Sequence, residues 1–180
     1  MIYIGIDPGL TGVVAWFDDE DEKPIPKWFQ IPVKDKPGIK RNKTDGKYAA
    51  GQAYIKRQID CFAFAEQMDA TFNVLTQDHC IMMERVSTKR GTGMASAGSL
   101  MQSVGMIEGV VASMFDEREW CDTIPPNTWM KALGLHGKKN DGPNVIKDWV
   151  INNFDMPKRF NKDVADAIAI AWYNKLTNQN

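Results

Sequence analysis

The chain has 180 residues, 43% of them hydrophobic and 25% charged, with a formal net charge of −1. That length suits one domain with a full core, and no apolar run approaches the roughly 20 residues of a membrane-spanning helix. Cys61, Cys80 and Cys121 lie far apart and in no CxxC arrangement, with two histidines to help them, which argues against a zinc site and against a disulfide framework.

The first residues carry no basic segment followed by an apolar h-region, so the protein is expected to stay where it is made, in a reducing cytoplasm. The near-neutral sum hides an uneven distribution of charge. Residues 18–22 are all acidic. Between 34 and 57, Lys34, Lys36, Lys40, Arg41, Lys43, Lys47, Lys56 and Arg57 stand against only Asp35 and Asp45. A second basic stretch sets Lys131, Lys138, Lys139 and Lys147 against Asp141.

Met1-Ile-Tyr-Ile-Gly-Ile-Asp7 reads as a strand buried on both faces and ended by the turn formers Pro8, Gly9 and Gly12. Taken alone, Asp7 is a turn residue, because Asx side chains bond the backbone two residues on. Val13–Phe17 and Lys27–Val33 read as the next strands, and their short spacing favours an antiparallel meander. Residues 34–51, with Pro37, Gly38, Gly46 and Gly51, read as a loop or a ragged hairpin. From Gln52 to about Leu75 the spacing predicts a helix, with Ile55, Ile59, Phe62 and Glu66 and then Phe64, Met68, Phe72 and Leu75 stepping by three and four along a broad apolar face. Cys80-Ile-Met-Met83 is a short apolar run that ends in Glu84, much as the first strand ends in Asp7.

Met94–Phe115, rich in Ala, Ser, Gly and Met, reads as a helix. It is either a plain core helix or a dimer face using Met101, Met106, Ile107, Val110 and Val111. Cys121–Ile124 reads as a fifth strand closed by Pro125-Pro126, and Asn127 is placed to cap a short helix through Leu133. Pro143 opens another helix with Ile146, Trp149 and Val150 inward. The last helix runs from Asp163 through Leu176, its stripe being Val164, Ala167, Ile168, Ala171, Trp172 and Leu176. The six tryptophans read as core, with Trp28 and Trp129 partly exposed.

Three early strands, then helix–strand–helix–strand–helix, predict a single α/β domain with a mixed sheet over residues 1–180, carrying a basic loop at about 34–51. If the strand ending in Glu84 pairs in parallel beside the first, Asp7 and Glu84 emerge at one edge, where such sheets place ligands. Asp163 and Asp166 project from one side of the first turn of the last helix. Alone they read as N-terminal decoration, Asp163 as the cap and Asp166 as a capping-box acid. With Asp7 and Glu84 they make four hard oxygen ligands suited to Mg²⁺ or Mn²⁺ rather than zinc. Gathered in one cleft they would repel one another, so the set makes sense with divalent cations and with two-metal phosphodiester chemistry.

Gly5-Ile-Asp-Pro-Gly9, Met83-Glu-Arg-Val86 and Asp163-Val-Ala-Asp-Ala-Ile-Ala169 together resemble the RuvC family of Holliday-junction resolvases, which have the RNase H-like fold. The segment Pro126-Asn-Thr-Trp-Met-Lys131-Ala-Leu-Gly resembles phage-encoded members. The resemblance implies a mixed five-stranded sheet, three antiparallel strands then two parallel, flanked by helices. It implies that Asp7, Glu84, Asp163 and Asp166 are the catalytic tetrad, holding two Mg²⁺ with Mn²⁺ as a substitute and Asp7 as the bridge. It further implies a homodimer that makes paired nicks in four-way junctions, in the host cytoplasm if the member is phage-encoded. Lysines near the scissile phosphate correspond to Lys131 and to Lys138 or Lys139. Ser87 stands where many bacterial members have an aromatic residue, so forks and other branched DNA enter the expected substrates. The basic loop, through Lys40, Arg41 and Lys43, reads as a grip on phosphates or as a solvated loop; Lys89 and Arg90 are placed near the DNA backbone.

Three other classes compete with the junction nuclease. An actin-like or sugar-kinase-type ATP phosphotransferase shares the acidic strand and turn, but 180 residues are too few for its duplicated domains and no second Gly-rich phosphate loop appears. A non-catalytic nucleic-acid-binding module predicts a missing acid, whereas all four are present. An RNase H-type ribonuclease uses the same metal chemistry.

Overall fold

The computed structural model describes residues 1–39, 43–44, 47–48, 53–72, 78–86, 94–116, 119–136, 144–157 and 159–179, with backbone alone at 37–39, 43–44, 47–48, 53–56, 94–95 and 120–122. In chain order the first elements are β1 (Ile2–Asp7), β2 (Val13–Asp18), β3 (Lys27–Gln30), β4 (Val33–Ile39), β5 (Lys43–Thr44), β6 (Lys47–Tyr48) and β7 (Ala53–Ile59). They are followed by α1 (Cys61–Phe72), β8 (His79–Glu84), α2 (Met94–Met114), β9 (Trp120–Ile124), α3 (Pro126–Ala132), α4 (Val145–Phe154) and α5 (Lys162–Asn178). None of the helices among the described residues is long and apolar enough to cross a membrane.

The five-stranded sheet has the order β3-β2-β1-β8-β9. β1 pairs antiparallel with β2 and β2 with β3, while β1–β8 and β8–β9 are parallel. This is the predicted α/β arrangement of three antiparallel and two parallel strands. Alternation along each strand sorts its residues between two cores. Ile2, Ile4 and Ile6 of β1, with Ile81 and Met83 of β8, pack among Phe64, Met68 and Phe72 of α1 and Ile107 and Val111 of α2. Val13, Ala15 and Phe17 of β2 face the other way, onto α4 and α5. Met82 packs with Ile124, Trp129, Ala169 and Ile170.

Gly5 lies between Ile4 and Ile6, on the α5 side of β1. A Cβ built there would stand 2.2 Å from Ala171 N and 2.6 Å from Ala167 O. Only glycine lets the α5 backbone sit so close to the strand. Further along α5, buried Asn174 donates from Nδ2 to Ile4 O at 3.0 Å and Cys80 O at 2.7 Å, tying the helix across β1 and β8. Small alanines and one buried amide thus lock α5 antiparallel to β1, with its N-terminus over the strands' carboxyl ends.

Four expectations need correction. Ile55 and Ile59 belong to β7, which pairs with β4 from Val33↔Ile59 to Ile39↔Ala53, so the helix starts at Cys61 rather than Gln52. Apolar spacing of four suits a helix, but a strand partner overrides it. Phe62, expected on the apolar face of that helix, is 80% exposed; the described residues of 34–51 pair as a hairpin, one of the two readings left open for them. Pro125, not Asn127, caps α3. The thiol expectation also has an exception: Cys80 is disulfide-bonded and Cys61 is free. Sequence spacing does not register which residues a central strand brings side by side.

The alternative that α2 presents Ile107, Val110 and Val111 to a partner is overturned, because all three are buried in the core. Met101 remains 51% exposed. Trp28 is exposed as expected, whereas Trp129 is buried.

Candidate active site

The parallel pairing of β1 and β8 runs from Ile2↔His79 to Ile6↔Met83. The next residues, Asp7 and Glu84, therefore leave the sheet side by side at its carboxyl edge. Asp7 shares the parity of Gly5, and Glu84 that of Met82, so both carboxylates are on the side where α5 packs. β1 ends there because Gly12 N donates to Gly9 O at 3.0 Å, closing a turn in which a Cβ on Gly12 would stand 2.7 Å from Asp7 O.

The bland reading of Asp163 and Asp166 as helix caps does not survive. Asn161 is the N-cap, its Oδ1 accepting from Val164 N at 2.9 Å. Both aspartates are thereby released from capping. Asp166 is 7% exposed, and its Oδ1 is buried with no hydrogen-bond partner among the described residues. Its Oδ2 accepts from Lys162 Nζ. A buried carboxylate oxygen without a donor is costly unless something else satisfies it.

Electrostatics bind the four acids into one cluster. Burial pushes the Asp7 carboxyl from 3.8 up to about 8, aided by the charges of Asp166, Glu84 and Asp163 and opposed by Lys162. Burial also raises Glu84, with the charge of Asp166 adding to it against a hydrogen bond from Trp129. Asp166 is raised by burial despite the hydrogen bond and charge of Lys162. Burial lowers the Lys162 ammonium, but Asp166, Asp7 and Glu84 outweigh it and hold the group above its usual range. Although these charges feel one another, no group of three or more His, Cys, Asp or Glu side chains among the described residues is arranged as a ready-made metal site. The electrostatic coupling and that geometric result agree if the acids share a cleft without yet converging on a point.

Two residues here escaped the sequence reading. Trp129 Nε1 donates to Glu84 Oε2 at 3.0 Å and fixes the direction of that carboxylate. Nothing in the sequence couples positions 129 and 84. Lys162 was legible in principle, since it precedes Asp163 and stands i, i+4 to Asp166. Of the expected lysines, Lys131 is exposed in the last turn of α3. Two residues along a helix turn it by about 200° from Trp129, away from the face that reaches Glu84. Lys40, Arg41, Ser87, Lys89, Arg90, Lys138 and Lys139 lie outside the described residues, and Lys43 is placed in β5 by its backbone.

Beside the turn that follows Asp7 runs a groove of about 340 Å³, lined by Leu10, Ser96, Ser99, Leu100 and Ser103.

No protein-family model matches the chain, and no curated protein matches it. Among solved structures it is similar to Thermus thermophilus RuvC, at 16% identity over 96% of this chain and 92% of that one, with a TM-score of 0.46. It is also similar to T. thermophilus RuvC in complex with Holliday junction substrate, at 14% identity over 96% and 92% of the two chains, with a TM-score of 0.56. The second likeness is one of fold: the mixed sheet with flanking helices is RNase H-like.

Proposed function

We propose that the chain is a structure-selective DNA endonuclease that cuts four-way junctions and other branched DNA as a homodimer making paired nicks. The observation that carries this reading is the gathering of Asp7, Glu84, Asp163 and Asp166, from three distant segments, at one edge of an RNase H-like sheet. The phage-type character and a place of action in the host cytoplasm belong to the same proposal.

An all-carboxylate donor set with a buried, partnerless oxygen on Asp166 fits hard divalent cations such as Mg²⁺ or Mn²⁺. When bound, such ions supply Lewis acidity at the scissile phosphate and lower the pKa of an attacking water. Asp7 is central, since it feels the charges of Asp166, Glu84 and Asp163 together. Asp163 and Asp166 enter from the helix, and Trp129 holds Glu84 in one rotamer. The exposed side of α2, with Met101, Gly105 and Gly109, is the surface left to a second copy.

Trp129→Phe deletes the donor to Glu84 and leaves a cavity of roughly 40 Å³ where the indole was buried. Cleavage should slow about tenfold, with a loss of stability of about 2 kcal/mol. Single-turnover rates beside urea melts check this; an unaltered rate removes Trp129 from the site. In the hairpin, the backbone register sets Lys36 opposite Lys56 and Lys34 opposite Gln58. Replacing Lys40, Arg41 and Lys43 by alanine should weaken junction binding and reduce the slope of log K against log salt by roughly two to three, if each neutralises one phosphate. An unchanged slope takes this segment off the DNA.

The function is tested by incubating labelled four-way junction, fork, linear duplex and RNA–DNA hybrid with the protein, with and without Mg²⁺. Symmetric, Mg²⁺-dependent nicks in the junction are expected, with forks cut as well. Cleavage of the hybrid alone would make the protein a ribonuclease, and no cleavage of anything would leave a binding module.

A further inference from the structure

We propose that the Lys162 ammonium is an internal cation of the acid cluster, competing with divalent ions for Asp166. The inference rests on the metal-binding reading above.

Local forces do not put this lysine where it is. With Asn161 as the cap, Lys162 is the first residue of α5, where the positive end of the helix dipole disfavours a cation. The order Lys then Asp at i, i+4 is also the less favourable orientation for a helical ion pair. Yet Nζ is bonded to Asp166 Oδ2, and the nearby charges of Asp7 and Glu84 favour the ammonium further. The side chain is 61% exposed, against 9% for that of Asp166. A solvated stem therefore lays its charged head onto a carboxylate that is almost wholly buried.

The consequence follows from occupancy. Asp166 has two oxygens; Lys162 holds one and the other is buried with no hydrogen-bond partner among the described residues. A divalent ion held by the acids would gain both Asp166 oxygens only if the ammonium let go, and the exposed four-carbon stem can swing out to allow that. The two cations are then linked with negative coupling: each lowers the affinity of the cluster for the other. Lys162 thus relieves the like-charge repulsion of the acids on its own and sets the threshold for divalent-ion loading. It acts through Asp166, as a positioning residue.

The test is Mn²⁺ binding by the whole chain without DNA, followed by calorimetry and by the loss of free-ion spin-resonance signal. Wild type, Lys162→Gln and Lys162→Arg are compared, each also melted in chelator. Lys162→Gln should bind Mn²⁺ about tenfold more tightly and melt at a lower temperature in chelator, whereas Lys162→Arg should match wild type in both. Wild-type or weaker Mn²⁺ affinity in Lys162→Gln would overturn the proposal, as would an Arg variant that binds as tightly as the Gln one. If wild type and both variants bind no Mn²⁺ at all, the metal reading itself fails and the inference with it. Because the side chain is largely exposed, the variants are expected to fold, and Lys162→Met, likewise uncharged, takes the place of the Gln variant should that one fail.

Discussion

Asp7→Asn is expected to slow metal-dependent cleavage of a four-way junction by at least about a thousandfold while making the protein more stable in chelator at pH 8. The two effects have one cause. Burial, then the charges of Asp166, Glu84 and Asp163, raise the Asp7 carboxyl from 3.8 to about 8. Between those values the folded chain binds a proton at Asp7 that the unfolded chain has released. This group's contribution is therefore fully present below about pH 4 and is lost as the pH rises through 8. Glu84 and Asp166, raised in the same direction, add to the slope.

In chelator the wild-type protein should lose of order 4 kcal/mol between pH 5 and pH 8.5, a fall of roughly 10 °C in melting temperature. Asparagine keeps the shape and removes the charge, so the variant should show a flatter profile and melt higher than wild type at pH 8. DNA affinity should be unchanged or greater, because a repulsive charge is gone. Junction nicking, gel shifts and thermal melts across this pH range check all three. Retained cleavage would dissolve the tetrad, and a variant that neither cuts nor gains stability would point to a damaged fold instead.

Gly5→Ala should cost about 3 kcal/mol or more, near 10 °C in melting temperature. The atoms that an added Cβ would meet, Ala171 N at 2.2 Å and Ala167 O at 2.6 Å, belong to the α5 backbone and cannot rotate aside. Relief would require the helix to move off β1, which would also draw Asp163 and Asp166 away from Asp7. Cleavage measured well below the melting point should therefore fall too, separating a displaced site from an unfolded one. A melting temperature within about 2 °C of wild type would mean that α5 is not pressed onto β1 at Gly5.

Where a pattern is local and repeated, the sequence was a sufficient guide. The unbroken apolar runs in Ile2–Asp7 and His79–Glu84 require two buried faces, and the abrupt carboxylate at the end of each run marks the same edge once the strands are parallel. The apolar stripe of α5 from Val164 to Trp172 and the extent of α2 followed from periods near 3.6, whereas Leu176, expected on the same stripe, is 53% exposed. Ambiguity arose wherever one pattern admitted two partners. Ile55 and Ile59 fit a helix face and a hairpin alike, and the choice fell to the cross-strand partners of β4. Asp163 is as good an N-cap as Asn161 by residue type.

The sequence by itself determined the α/β class and singled out the four acids of the proposed site, because both depend on residue type, order and short-range period. Only the tertiary structure decided that Asn161 does the capping, that Trp129 bonds Glu84 and that Lys162 bonds Asp166. Those contacts depend on how close α5 and α3 come to the sheet, a distance set by packing at Gly5 and the small alanines that no one-dimensional period records.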